Sequence, residues 1–118
     1  MLEHELYTIV GMENNAVKIR LLPESAIFSG HFPGNPITPG VCQVGIIGEL
    51  VGRVCGCGLE LFEVKSLKFI DLLRPSAGCV LVKFDKFEED GGVVVTKVEM
   101  KEANGDGTVI TFVNVKLN

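Results

Sequence analysis

The chain has 118 residues, 47% of them hydrophobic, with no Trp and a formal net charge of -4. That length suits one compact domain, expected over residues 1–118, whose core needs no metal or disulfide staple. Charges of both signs are interspersed, which argues against the basic stripe nucleic acid requires, and no apolar run approaches the ~20 residues of a membrane span.

The N-terminus, MLEHELYTIV, carries acidic charge and no long apolar stretch of the kind that marks a secretory leader. Residues 5 to 10 are a weak strand candidate, and Gly11 to Asn15 supply turn residues. AVKIRLL, 16 to 22, alternates: Val17, Ile19 and Leu21 face one way, Lys18 and Arg20 the other, as in a half-buried strand. Residues 23 to 40 are punctuated by Pro and Gly, so no regular element is expected there. This loop is too apolar for disorder (Ile27, Phe28, Phe32, Ile37), and long loops of that kind are usually functional.

VCQVGIIGELVGRVC, 41 to about 55, is the one good helix candidate. Val41, Val44, Ile47, Leu50, Val51 and Val54 recur at helical spacing, while Gly45, Gly48 and Gly52 share a side where another backbone can come close. Each glycine weakens a helix by up to ~1 kcal/mol relative to Ala, so packing must hold it. Gly56 and Gly58 are expected to end it.

Everything after Leu59 reads as strand. A long strand with a bulge is expected over 60 to 73, a turn at RPSAG (74 to 78), a strand from Cys79 to Phe87 and a turn at EEDGG (88 to 92). In VVVTKVEMK, Val94, Thr96, Val98 and Met100 oppose Lys97, Glu99 and Lys101. NGDG, 104 to 107, is a hairpin signal, and TVITFVNVKL alternates through Leu117. The order β-β-loop-helix-β-β-β-β implies an α+β fold, its helix packed on one face of an antiparallel sheet. So apolar a helix is hard to cover with so short a chain, which points to a dimer.

Four cysteines are present, Cys42, Cys55, Cys57 and Cys79. The CGC spacing suits neither a zinc knuckle nor a redox pair. We expect four reduced, mostly buried thiols in a cytoplasmic protein, and no metal site. His4 is expected to be solvated.

The run GHFPGNPITPGV, residues 30 to 41, resembles the 3-hydroxyacyl-[acyl carrier protein] dehydratases of the hotdog fold. Gly30, His31, Phe32, Pro33, Pro36, Pro39, Gly40 and Val41 match that family's pattern, and VKSLKFIDLLRPSAG, 64 to 78, resembles a later strand and turn of it. The resemblance spans about 16 to 117. It implies a curved antiparallel β-sheet wrapped around one long central α-helix, paired as a homodimer or as a hexamer made of three dimers. It further implies a substrate acyl group carried as a thioester on the phosphopantetheine of acyl carrier protein or on CoA. No other cofactor is implied, and the expected partners include neither nucleic acid nor membrane.

Such enzymes remove water from a 3-hydroxyacyl group to give the trans-2-enoyl thioester. One group takes a proton from C2, another protonates the departing C3 hydroxyl, and fixed donors hold the enolate. His31 is the candidate base. The backbone N–H groups of Gly40 and Val41, at the helix start, are the candidate oxyanion donors. Phe32, Pro33 and Pro39 frame the loop. The resemblance places a helix carboxylate fourteen residues after the histidine, where this chain has Gly45; Glu49 lies one turn later, ~5.4 Å along the axis. Thr38 also departs from the pattern, standing where a large apolar residue is common.

Three readings follow. Glu49 serves as a displaced acid; or the chain is a degenerate protein that binds acyl groups or a carrier; or a related hotdog chain donates the carboxylate to His31. A thioesterase, with water positioned by Glu49 or Gln43, is a fourth. Cys42 lacks a second histidine to activate it and reads as a plain thiol. Lys65, Lys68 and Arg74 are either contacts for an acidic carrier and the pantetheine phosphate or ordinary surface charge.

Overall fold

The computed structural model describes residues 2–13, 15–30, 37–55, 62–71, 73–74, 78–89, 92–103 and 109–117, with the backbone alone described at 29–30, 54–55, 62–65, 86–89, 92–96 and 109–117. Its elements are β1 (Tyr7–Met12), β2 (Ala16–Leu21), α1 (Ala26–Gly30), α2 (Gly40–Cys55), β3 (Phe62–Phe69), β4 (Cys79–Glu89), β5 (Gly92–Glu102) and β6 (Val109–Leu117). The strands form one antiparallel sheet in the order β1-β2-β4-β5-β6-β3.

The alternation of β2 sets the pattern. Val17, Ile19 and Leu21 are buried and Lys18 and Arg20 exposed. Register carries the same face across the sheet, because Val17 lies opposite Val82 and Val82 opposite Met100. Val80, Phe84 and Val98 extend that apolar face, and Ile46, Ile47, Leu50 and Val51 of α2 pack into the same core. A side chain period of two against a helical stripe gives one continuous core between sheet and helix. Full burial of each such aliphatic side chain is worth about 1.5–3 kcal/mol.

The helix face differs from the expected one at its start. Val41 is 80% exposed, while Ile46 is fully buried. Position 41 is the second residue of α2, and its apolar side chain stays largely in solvent. Gly56 and Gly58, expected to end α2, lie outside the described residues.

Three further boundaries moved. The expected structureless loop contains α1, a single turn started by Ser25: its Oγ accepts from Ile27 N–H at 3.3 Å, and buried Phe28 anchors it. The first strand runs to Met12 through a register shift between Ile9 and Gly11, so the turn is shorter than Gly11 to Asn15. The strand expected over 60 to 73 has its bulge, between Val64 and Ser66, but ends at Phe69. Beyond it Leu73 turns into the core, and its carbonyl accepts from Thr38 N–H at 2.7 Å. Burial of Leu73 and this bond to the loop replace the ladder.

Strands β4 and β5 pair out to Glu89 and Gly92, so Glu88, Glu89 and Gly92 of the turn expected at 88 to 92 are strand; Asp90 and Gly91 lie outside the described residues. The hairpin signal at 104 to 107 also lies outside them. Gly78, at the end of the expected RPSAG turn, has φ +73°, a left-handed conformation glycine adopts without strain. Val98 and Met100 are buried while Lys97, Glu99 and Lys101 are half-buried, as their alternation requires.

Candidate functional site

The start of α2 forms one side of a cleft. Pro39 closes the first turn with its carbonyl, which accepts from Cys42 N–H at 3.0 Å and Gln43 N–H at 3.1 Å. The N–H groups of Gly40 and Val41 precede those bonds and have no partner among the described residues. No acidic residue stands in the first turn of α2 itself, so the helix contributes no carboxylate of its own to offset the partial positive charge at its start. Two free donors on a helix terminus suit a developing oxyanion.

The cleft has a volume of about 390 Å³. Ile37, Thr38, Pro39, Gly40 and Gln43 line it from the loop and helix, and Phe69 and Asp71 from the end of β3. Gly40 permits this closeness. A Cβ built there would lie 2.8 Å from Phe69 Cζ and 3.0 Å from its Cε2. The glycine thus lets the aromatic ring close against the helix start. Gln43 is buried, and its Nε2 donates to the Thr38 carbonyl at 3.2 Å.

Glu49 stands elsewhere, outside the lining of this cleft, and its carboxylate is engaged within the chain. Oε2 accepts from Leu2 N–H at 2.8 Å. Oε1 accepts from Glu3 N–H at 3.1 Å and from the Tyr7 hydroxyl at 3.0 Å. Burial first, and then the charge of Glu49 and the hydrogen bond to it, hold the Tyr7 phenol far above the usual phenol range. Tyr7 therefore remains a neutral donor. Arg53, one turn beyond Glu49, pairs with Glu3 at 2.7 Å. The N-terminal segment is thus laid along α2 and hydrogen-bonded to it. Leu2 also fills the space beside Gly45, where a Cβ would meet Leu2 Cδ1 at 2.8 Å.

Of the residues singled out from sequence, Gly40, Val41 and Pro39 come together at the helix start. His31, Phe32 and Pro33 lie outside the described residues. Cys42 and Cys79 are free, partly buried thiols, and burial pushes the Cys42 thiol up; Cys57 and the side chain of Cys55 lie outside the described residues. His4 is exposed as expected, 3.6 Å from Glu3. Lys68 is exposed and Arg74 half-buried, whereas the side chain of Lys65 lies outside the described residues. No metal-binding cluster of His, Cys, Asp or Glu occurs among the described residues. Leu2, Tyr7 and Asp71 were not foreseen. Tyr7 is the sole tyrosine of the chain, but nothing in its spacing points to Glu49.

Among solved structures, the dehydratase heterocomplex ApeI:P from Xenorhabdus doucetiae superposes with a TM-score of 0.62 at 20% identity, covering 94% of this chain and 96% of that one. A protein from Erwinia carotovora subsp. atroseptica gives 0.61 at 16% identity, covering 93% and 89%. At such identities the likeness carries the fold. An antiparallel sheet wrapped on one central helix, with a donor-bearing cleft at the helix start, is a hotdog-fold protein. A family model described as ApeI-like, ApeI dehydratase, matches residues 9–105. The chain belongs to that dehydratase family.

Curated relatives agree. The 3-hydroxyacyl-[acyl-carrier-protein] dehydratase FabZ of Caldicellulosiruptor saccharolyticus is 36% identical over 78 residues, 66% of this chain and 50% of that enzyme. FabZ of Ligilactobacillus salivarius is 30% identical over 102 residues, 77% of this chain and 72% of that enzyme. The chain spans about half the length of the first of these. No helix among the described residues is long and apolar enough to cross a membrane.

Proposed function

We propose that this chain acts on 3-hydroxyacyl thioesters carried by an acyl carrier protein, as the histidine-bearing half of a cytoplasmic dehydratase in fatty acid or related biosynthesis. His31 takes the C2 proton, and the electron pair forms the C2–C3 double bond. The C3–O bond breaks, and the departing hydroxyl leaves as water with a proton from a carboxylic acid. The Gly40 and Val41 N–H groups hold the enolate oxygen while it carries charge. A related hotdog chain, paired with this one, supplies the acid across the interface.

The observation that carries this reading is the engagement of Glu49. Acting as the acid would require its carboxyl to leave two backbone donors and a phenol and to span a turn of helix. Leu2 fills the neighbouring position, beside Gly45. The heteromeric assembly named for the ApeI:P neighbour supports a two-chain arrangement. Engagement of Gln43 and Glu49 likewise weakens a thioesterase reading that needs either to position water. A second reading has one observation in its favour: Asp71, a carboxylate, lines the cleft, and in that reading it serves as the acid within this chain.

The test is turnover of 3-hydroxyacyl carrier protein to the enoyl product. This chain alone is expected to be inert and to gain activity when mixed with a related chain that bears a helix carboxylate. His31→Ala here should abolish that gain, and unchanged turnover would sink the proposal. Activity of the isolated chain that is lost in Asp71→Asn selects the second reading. Loss in a folded Glu49→Gln instead makes Glu49 the acid.

A further inference from the structure

One residue of the cleft lining carries a buried side-chain oxygen that has no partner among the described residues. Thr38 is 1% exposed. Its backbone is held at both ends, with N–H donating to the Leu73 carbonyl at 2.7 Å and its carbonyl accepting from Gln43 Nε2 at 3.2 Å. Its Oγ1 has no hydrogen-bond partner among the described residues. Both backbone bonds prevent the residue from backing out toward water. Burying an unpaired hydroxyl is unfavourable, and buried polar groups are rarely left so. An apolar residue would suit the site better unless something absent here completes the bond.

Position in the fold says what that something is. Thr38 lies two residues before the free N–H groups of α2 and lines the same cleft as Gly40. Ile37, Pro39 and Phe69 of the lining are apolar, while Gln43 and Asp71 are its other polar members; a hydrogen bond made in a largely apolar cleft is stronger than one made in water. The wall able to yield is Phe69. Its ring is half exposed, rests on Gly40 and comes from the last residue of an edge strand.

We infer that the Thr38 hydroxyl is a specificity-determining group of this cleft, completed by a hydrogen-bonding group of the bound thioester a few bonds from its sulfur. The inference rests on reading the chain as a binder of acyl thioesters. A hydroxyl both donates and accepts, so the group is a C3 oxygen on the acyl side or an amide on the carrier arm. Either partner makes Thr38 select against a thioester that lacks it.

Three probes separate these sources in titration calorimetry on the isolated chain. They are S-ethyl hexanethioate, hexanoyl-N-acetylcysteamine, which adds the amide, and 3-hydroxyhexanoyl-N-acetylcysteamine, which adds the C3 oxygen. The wild-type chain should favour the probe carrying the matching group by about tenfold over the one lacking it. Thr38→Val should erase that step without weakening S-ethyl hexanethioate, and Thr38→Ser should keep it. Thr38→Ala replaces the valine variant if that does not fold. The step that vanishes identifies the acyl side or the carrier arm. Equal discrimination by wild type and Thr38→Val overturns the inference while leaving the thioester reading intact. If the wild-type chain binds none of the probes, the thioester reading fails and takes the inference with it.

Discussion

Glu49 and Tyr7 show how a single side chain changes meaning once its neighbours are known. In the sequence Glu49 is a helix carboxylate near a catalytic position. In the structure it fastens Leu2, Glu3 and Tyr7 to α2. The consequence is measurable through Tyr7, whose proton is held beyond the ordinary value of 10.0. As pH rises, the unfolded chain releases that proton first. The stability linked to the phenol is therefore complete below pH 10 and is lost above it, at up to about 1.4 kcal/mol per pH unit. Chemical denaturation across that range should show the wild-type chain losing stability more steeply than Tyr7→Phe. At neutral pH the variant should be weaker by about 1.5–3 kcal/mol, the worth of a hydrogen bond to a charged group. Parallel slopes would mean that Glu49 does not hold the phenol.

At the scale of elements, α2 was legible almost to the residue, since a run of apolar residues at helical spacing between Pro39 and the glycines beyond Cys55 leaves little choice. The strands were legible from alternation. The end of β3 was not, because FIDLL is as apolar as a strand; only the bond from Thr38 and the burial of Leu73 show why the ladder stops. Of the three glycines that share a side of α2, Gly45 is closely approached, by the Leu2 side chain rather than by a sheet or another backbone. Leu2 is distant in sequence and carries no periodic signal. Its contact with Gly45 makes a coupled pair. Gly45→Ala should gain up to about 1 kcal/mol of helix propensity, offset by displacement of Leu2. In a double-mutant cycle, Leu2→Ala should be less costly in the Gly45→Ala background by at least about 0.5 kcal/mol. Additive effects in urea unfolding would show that the two do not touch.

At the scale of the whole molecule, the sheet ends on an exposed edge. Leu67 and Phe69 of β3, the adjoining Ile70 and nearby Val41 leave apolar surface open beside the cleft. An unpaired edge strand with exposed apolar side chains is a template for another chain. Pairing through this edge, with a second copy or with the related chain, would cover the side chains and bring the partner close to the start of α2. Ile70→Lys should therefore shift the assembled species toward monomer in sedimentation velocity without altering the circular dichroism of the fold. An unchanged sedimentation profile would place the interface elsewhere.

Composition and periodicity were enough for the α+β class, the central helix and most strands, because both periods are written locally, residue by residue. The motif GHFPGNPITPGV was enough for the family and for where the central helix starts, because its prolines restrict the backbone wherever the chain goes. The fate of Glu49, the filling of the space beside Gly45 and the isolation of the Thr38 hydroxyl required tertiary structure. Each depends on contacts with segments remote in sequence, and a hydrogen bond across such a distance leaves no pattern in the chain until folding brings its two ends together.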